Sequence, residues 1–123
     1  MAAILIVDDD DIIRDTLFEL LSAEYHCETA ETAEIALAKL EAQRFDVVLT
    51  DISMPGLSGV QLLNRVLKLY PGTPVIMISG FSDQDQAVSL IKLGAFDYLL
   101  KPFRLEVVED SVRRALESRA KMI

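Results

Sequence analysis

Four strongly apolar runs in this chain of 123 residues end in side chains suited to handling a phosphoryl group. Ile4-Leu5-Ile6-Val7 runs into Asp8-Asp9-Asp10-Asp11, and Val47-Val48-Leu49-Thr50 into Asp51. Val75-Ile76-Met77-Ile78 ends in Ser79-Gly80, and Tyr98-Leu99-Leu100 ends in Lys101-Pro102. If the runs are parallel strands, their carboxyl ends share one sheet edge, where open α/β folds place their ligands. Asp8, Asp9 and Asp51, the Ser79 hydroxyl and the Lys101 ammonium would then meet. Singly, each has a plainer reading: an aspartate between strand and helix is a common N-cap, Ser79 before Gly80 suits a turn, and a lysine before proline suits the surface. Their joint occurrence at four strand ends is the signal.

Two carboxylates ~5 Å apart at an effective dielectric of about 20 repel by roughly 3 kcal/mol. Three in one pocket must raise a pKa or recruit a cation. Oxygen donors without His or Cys select a hard ion, Mg²⁺ with Mn²⁺ tolerated. Asp51 stands alone at its run's end, before a Ser/Pro/Gly-rich turn expected to leave its carboxylate accessible, and is the candidate nucleophile for an acyl phosphate. Asp8 and Asp9 suit metal and water. Lys101 supplies a point charge and Ser79 a hydrogen bond to phosphoryl oxygens.

Short apolar runs alternate with helical patterns throughout. Strands are expected at about 3–8, 25–29, 45–50, 74–79 and 96–100, the second weaker and near an edge. The others are continuous in Val, Ile and Leu, as parallel strands covered on both faces require. Helices are expected over 11–23 (Ile13, Leu17, Leu20 and Leu21 inward), from a Thr32 cap (Ala33, Ala36, Leu37 and Leu40 inward), and over 57–70 (Val60, Leu63, Val66 and Leu67 inward). A fourth follows a Ser82-x-x-Asp85 capping box and ends before Gly94. A fifth spans about 104–121. Asp10 reads as a helix cap and not a ligand. Five βα units predict an α/β, (βα)5 doubly wound, flavodoxin-like parallel five-stranded sheet of order 2-1-3-4-5, with its switch point between strands 1 and 3.

Composition bounds the rest. The chain, 51% hydrophobic and 26% charged, is globular and of single-domain size. Its net charge of −8 argues against direct nucleic-acid binding, which needs clustered cations. No run approaches the ~20 apolar residues of a membrane helix. A lone cysteine, Cys27, and no basic leader fit the cytoplasm.

These motifs together resemble the receiver domain of bacterial two-component response regulators. They are the acidic pair after strand 1, Asp51 with Met54-Pro55-Gly56 following, Ser79-Gly80, and Tyr98-Leu99-Leu100-Lys101-Pro102. The resemblance covers essentially the whole chain. It implies that Asp51 accepts a phosphoryl group from a histidine kinase in a Mg²⁺-dependent reaction. Asp9, Asp51 and the Ser53 carbonyl would ligate the ion, with Asp8 acting mainly through water. Ser79 and Lys101 would hold the phosphate. Gly80 stands where the family often has alanine and frees that loop, and Ser53 and Phe81 flank the site. Ser79 and Tyr98 would switch the face of helix 4, strand 5 and helix 5, and Lys101–Pro102 would be cis. That face would serve an output domain, a downstream protein or a homodimer. The chain is expected to be a phosphoacceptor switch and not an enzyme, with at most weak self-catalysed phosphotransfer and autodephosphorylation. Residues 1–123 read as a single receiver, and a last helix without a Gly or Pro stop reads as the N-terminal part of a longer regulator. The repeat Leu105, Val108, Val112, Ala115, Arg119, Met122 fits packing on the domain's own sheet better than a coiled coil, since Arg119 breaks the seam.

Two other classes compete. An aspartyl-phosphate phosphatase wants a second acid two residues past its nucleophile, where this chain has Ser53. A flavin carrier wants a neutral phosphate-cradling loop after strand 1, where this chain has four aspartates. His26 and Cys27 receive no role.

Overall fold

The computed structural model describes residues 1–80 and 84–121, the side chains at 84, 85, 120 and 121 excepted. The elements run β1 (Ala3–Val7), α1 (Asp11–Ser22), β2 (His26–Ala30), α2 (Ala33–Ala42), β3 (Val47–Asp51), α3 (Gly59–Leu69), β4 (Val75–Ser79), α4 (Gln84–Leu93), β5 (Asp97–Leu100) and α5 (Leu105–Lys121). Among the described residues the strands form one parallel sheet in the order β2-β1-β3-β4-β5. This is the expected topology, with the more polar β2 at an edge.

Alternation along each strand sorts the apolar side chains into two layers. Leu5, Val7, Val48, Val75 and Met77 pack with Ala33, Ala36 and Leu40 of α2, Leu62, Leu63 and Val66 of α3 and Leu90 of α4. Ile4, Ile6, Val47, Leu49, Ile76 and Ile78 pack with Leu17 and Leu21 of α1 and Val108, Val112 and Ala115 of α5. Burial on both faces is why these strands read as unbroken apolar runs. It also fixes the register that brings Asp51 opposite Ile78 and Ser79 opposite Leu100.

Local chemistry sets the helix starts. Asp10 caps α1, its carboxylate accepting from the Ile12 and Ile13 amides at 2.9 and 3.3 Å. Thr32 caps α2 through the Ile35 amide. α3 begins at Gly59, two residues later than expected, because Ser58 and Gln61 form a reciprocal capping box. Leu62 faces inward beside Leu63 and Val66, while Val60 and Leu67 are half-buried. The proposed Ser82-x-x-Asp85 box, Phe81 and Met122 lie outside the described residues.

α5 turns Val108, Val112 and Ala115 onto its own sheet, whereas Leu105 is exposed. Arg119 also serves the domain, donating to the Phe45 and Gly72 carbonyls and to Thr73 Oγ1, and pairing with Asp46 at 3.3 Å. His26 and Cys27 sit at the amino end of β2, opposite Ala3 and Ile4 and away from the carboxyl edge.

Candidate functional site

Asp8 follows β1, Asp51 ends β3, Ser79 ends β4 and Lys101 follows β5. The sheet therefore delivers four chain-distant residues to its carboxyl edge at the β1/β3 switch point. One carboxylate oxygen each from Asp8, Asp9 and Asp51 lies within 4.8 Å of the others. The Lys101 ammonium is 3.2 Å from Asp8 Oδ2 and 3.6 Å from Asp51 Oδ2. Its own amide donates to the Ser79 carbonyl at 2.7 Å, which fixes the start of the β5–α5 loop against the end of β4.

The three acids differ in setting. Asp8 is almost wholly buried, its Oδ1 accepting from the Asp10 amide at 2.9 Å and its Oδ2 from Lys101. Asp9 is exposed. Asp51 is recessed, with 12% of its side chain accessible. This corrects the expectation of an accessible carboxylate: the β3–α3 turn folds over the strand end, with the Gly59 amide donating to the Ile52 carbonyl at 2.8 Å. Burial pushes the Asp51 carboxyl above the ordinary carboxylate range, and the Asp8 charge pushes it further while Lys101 opposes. Burial likewise raises Asp8, against the Asp10 amide and Lys101.

One lysine therefore does not neutralise the cluster, and the pocket retains an excess of negative charge. A set of three carboxylates without His or Cys fits a hard divalent cation that keeps part of its water.

The flanking residues are placed as follows. Ser53 is exposed in the turn after Asp51, and Ser79 is buried. An added Cβ at Gly80 would meet nothing within 4 Å, so sterics among the described residues do not demand glycine there. Tyr98 is half-buried against the α2–α4 layer, its hydroxyl 3.3 Å from Gln86 Oε1 on α4. The Lys101–Pro102 peptide is cis, as the resemblance implied.

Two residues that the sequence reading passed over help to build the site. A Cβ on Gly59 would stand 1.9 Å from the Asp51 carbonyl oxygen, so α3 can approach the strand end this closely only through glycine. Its signal was a glycine at the first position of a helix. Arg14 on α1 reaches back to donate to the Asp8 carbonyl at 2.8 Å. Nothing in its sequence spacing marked it.

A five-stranded parallel sheet with an acidic cluster and a lysine at its switch point defines a small α/β protein built around a hard-cation site. A family model for the response regulator receiver domain matches residues 4–113, and the chain belongs to that family, the receivers of two-component signal transduction. It is 43% identical over 112 residues to the DNA-binding transcriptional regulator NtrC of Salmonella typhimurium, covering 90% of this chain and 24% of that protein. It is 37% identical over 114 residues to the response regulator protein FleR of Pseudomonas aeruginosa, covering 92% of this chain and 24% of that protein. The chain thus spans about a quarter of the length of these relatives.

Among solved structures, a CheY-like response regulator receiver domain protein from Methanospirillum hungatei superposes with a TM-score of 0.93 at 34% identity, covering 100% of this chain and 99% of that one. NtrX from Brucella abortus, in complex with ADP, superposes at 0.93 and 39% identity, covering 99% of this chain and 29% of that one. These comparisons lend no support to the phosphatase alternative. No described helix is long and apolar enough to cross a membrane.

Proposed function

We propose that Asp51 is the phosphoacceptor of this receiver. The observation that carries the reading is the Lys101 ammonium lying between the Asp8 and Asp51 carboxylates, in a pocket whose third acid is Asp9. In the transfer, an Asp51 carboxylate oxygen bonds to phosphorus as the phosphorus–nitrogen bond of a kinase phosphohistidine breaks, and the imidazole leaves with the bonding electrons. Such a transfer depends on alignment and charge neutralisation more than on covalent assistance.

Asp8, Asp9, Asp51 and the Ser53 carbonyl would hold Mg²⁺, or Mn²⁺ in its place, with Asp8 acting mainly through water. A bound divalent ion supplies charge neutralisation to the phosphoryl oxygens. Lys101 and Ser79 hold the transferred group, with Gly80 beside them. The added charge of about −1.5 to −2 draws Ser79 and Lys101 toward Asp51, and Tyr98 exchanges its Gln86 contact for a more buried position. Pro102 directly follows Lys101 at the start of the β5–α5 loop.

The readout is the α4–β5–α5 face. Exposed Val88, Ile91, Leu93, Leu100 and Val107 support this reading, since they give that face apolar area for an output domain, a downstream protein or a second copy. The partners are a histidine kinase upstream and an output domain of a longer cytoplasmic regulator, of which residues 1–123 form the receiver. Phosphate loss by slow self-catalysis is the only turnover expected. Incubating the protein with acetyl phosphate and Mg²⁺ and measuring intact mass tests the site. One added phosphoryl group on the wild type and none on Asp51→Asn is the expected result; equal labelling of Asp51→Asn overturns it.

A further inference from the structure

Arg14 makes contacts that the phosphoryl chemistry leaves unused. It sits in the first turns of α1 with only 11% of its side chain accessible. Its Nη1 donates to the Asp8 carbonyl at 2.8 Å, and its Nη2 pairs with Asp11. The other polar groups of Asp8 are held as well: the amide donates to the Ala30 carbonyl at 3.1 Å, and the carboxylate accepts from Asp10 and Lys101.

The Asp8 carbonyl belongs to the planar peptide that joins Asp8 to Asp9. Fixing that carbonyl therefore fixes the direction in which Asp9 leaves the backbone. Asp9 is exposed and stands outside the packed layers. A guanidinium suits the task, because its planar fork spans two acceptors and it is more weakly hydrated than an ammonium. We infer that Arg14 is a positioning residue for the divalent-cation site, setting through the Asp8 carbonyl the geometry in which the Asp8 and Asp9 carboxylates meet the ion. This rests on the reading of Asp8, Asp9 and Asp51 as the cation site.

The test is Mn²⁺ binding followed by loss of the free-ion paramagnetic resonance signal, a readout independent of phosphorylation, on wild type, Arg14→Met, Arg14→Gln and Arg14→Lys. Arg14→Met keeps length and packing but has no donor. It is expected to weaken Mn²⁺ binding about tenfold, the lower end of what losing a supporting partner costs a metal site, while circular dichroism shows a retained fold. Arg14→Lys and Arg14→Gln keep a donor and are expected to recover part of that loss. Labelling of Arg14→Met by acetyl phosphate should approach the wild-type level once the divalent ion is saturating.

Unchanged affinity in Arg14→Met overturns the inference, and so does an equal loss in all three variants, which would mark a packing role. Should Arg14→Met fail to fold, Arg14→Gln and Arg14→Lys decide: a partial loss of Mn²⁺ affinity in both, smaller than about tenfold and with the fold retained, supports the donor role, and affinity as tight as wild type in both overturns it. If the wild type itself binds no Mn²⁺, the reading of the acidic cluster fails and this inference with it. Normal binding by the wild type and by Arg14→Met removes only the inference.

Discussion

Lys101 Nζ lies 3.2 Å from Asp8 Oδ2, a contact made across 93 residues of chain. The carboxylate is almost fully buried and the ammonium only partly, with 22% of the lysine side chain accessible. Both acids facing this ammonium have carboxyls raised above their ordinary range. The lysine thus moderates an environment that remains unfavourable to negative charge.

Removing that ammonium exposes the imbalance. Lys101→Met should destabilise the ion-free protein by about 1–2 kcal/mol at neutral pH, below the 3–5 expected for a fully buried pair because the lysine is partly solvated. Urea denaturation with and without Mg²⁺ checks it. The defect should shrink when the ion is present, since a divalent cation replaces the missing positive charge.

Neutralising Asp51 should act in the opposite sense. Its raised carboxyl means that the folded pocket disfavours the ionised form relative to the unfolded chain. Asp51→Asn is therefore expected to stabilise the ion-free protein by on the order of 1 kcal/mol, within the usual range for single substitutions, and to weaken Mg²⁺ binding. Thermal melts in chelator and in excess Mg²⁺ should cross over: the variant melts higher in the first and gains less in the second.

The pH dependence follows with a definite sign. For an acid raised on folding, the folded state binds more protons between the unfolded pKa, near 3.8, and the higher folded pKa. The destabilisation from Asp8 and Asp51 is thus complete above their folded values and is relieved as pH falls through those values toward 3.8. Asp110 runs the other way, because Arg114 and Arg113 hold its carboxyl down, so its stabilising contribution is lost on acidification. A comparison of melting temperatures between wild type and Asp8→Asn/Asp51→Asn cancels Asp110. The variant's advantage should be largest near pH 7 and shrink steadily on acidification.

The sheet and the acid–lysine site were legible because strands buried on both faces leave unbroken apolar runs, and each run's end marks the same rim. Asp10, Thr32 and the two apolar layers followed from local periodicity and capping preferences. Long-range approaches were not legible. Arg14 reaches the Asp8 carbonyl only because α1 folds back along β1, and Arg119 reaches Phe45 and Gly72 only because α5 crosses the amino edge of the sheet. The start of α3 was misplaced because apolar Leu57 extends the helical pattern, whereas the Ser58–Gln61 box ends it. Asp51 was expected in the open because nothing in the turn's composition shows how closely Gly59 seats it against the strand.

That seating gives a further prediction. A methyl group at Gly59 would stand 1.9 Å from the Asp51 carbonyl oxygen and 2.8 Å from the Asp51 carbonyl carbon and the Ile52 Cα, all backbone atoms. Backbone cannot rotate aside as a side chain can. Gly59→Ala is therefore expected to cost about 3 kcal/mol, the upper part of the usual overpacking range, and to displace the end of β3. Urea denaturation measures the cost, and acetyl phosphate labelling should slow even where the variant remains folded.

At the opposite edge, Arg119 ties α5 to two segments, one before β3 and one before β4. Its guanidinium donates to the Phe45 and Gly72 carbonyls at 3.4 and 3.2 Å and to Thr73 Oγ1 at 3.2 Å. It also pairs with Asp46, whose other oxygen accepts from the Ala3 amide at 2.8 Å. Arg119→Leu keeps the apolar stem but removes every donor. Asp46 retains the Ala3 amide and the Phe45 carbonyl retains the Thr73 hydroxyl, so the expected cost is about 1–2 kcal/mol, on the scale of a few charge-assisted hydrogen bonds. The loss should be local. Amides of the last two turns of α5 should exchange with deuterium roughly tenfold faster, while those of β1, β3 and β4 change only by the global stability difference. Acetyl phosphate labelling at Asp51 should be unaffected, because the clamp and the acidic cluster lie at opposite ends of the same strands.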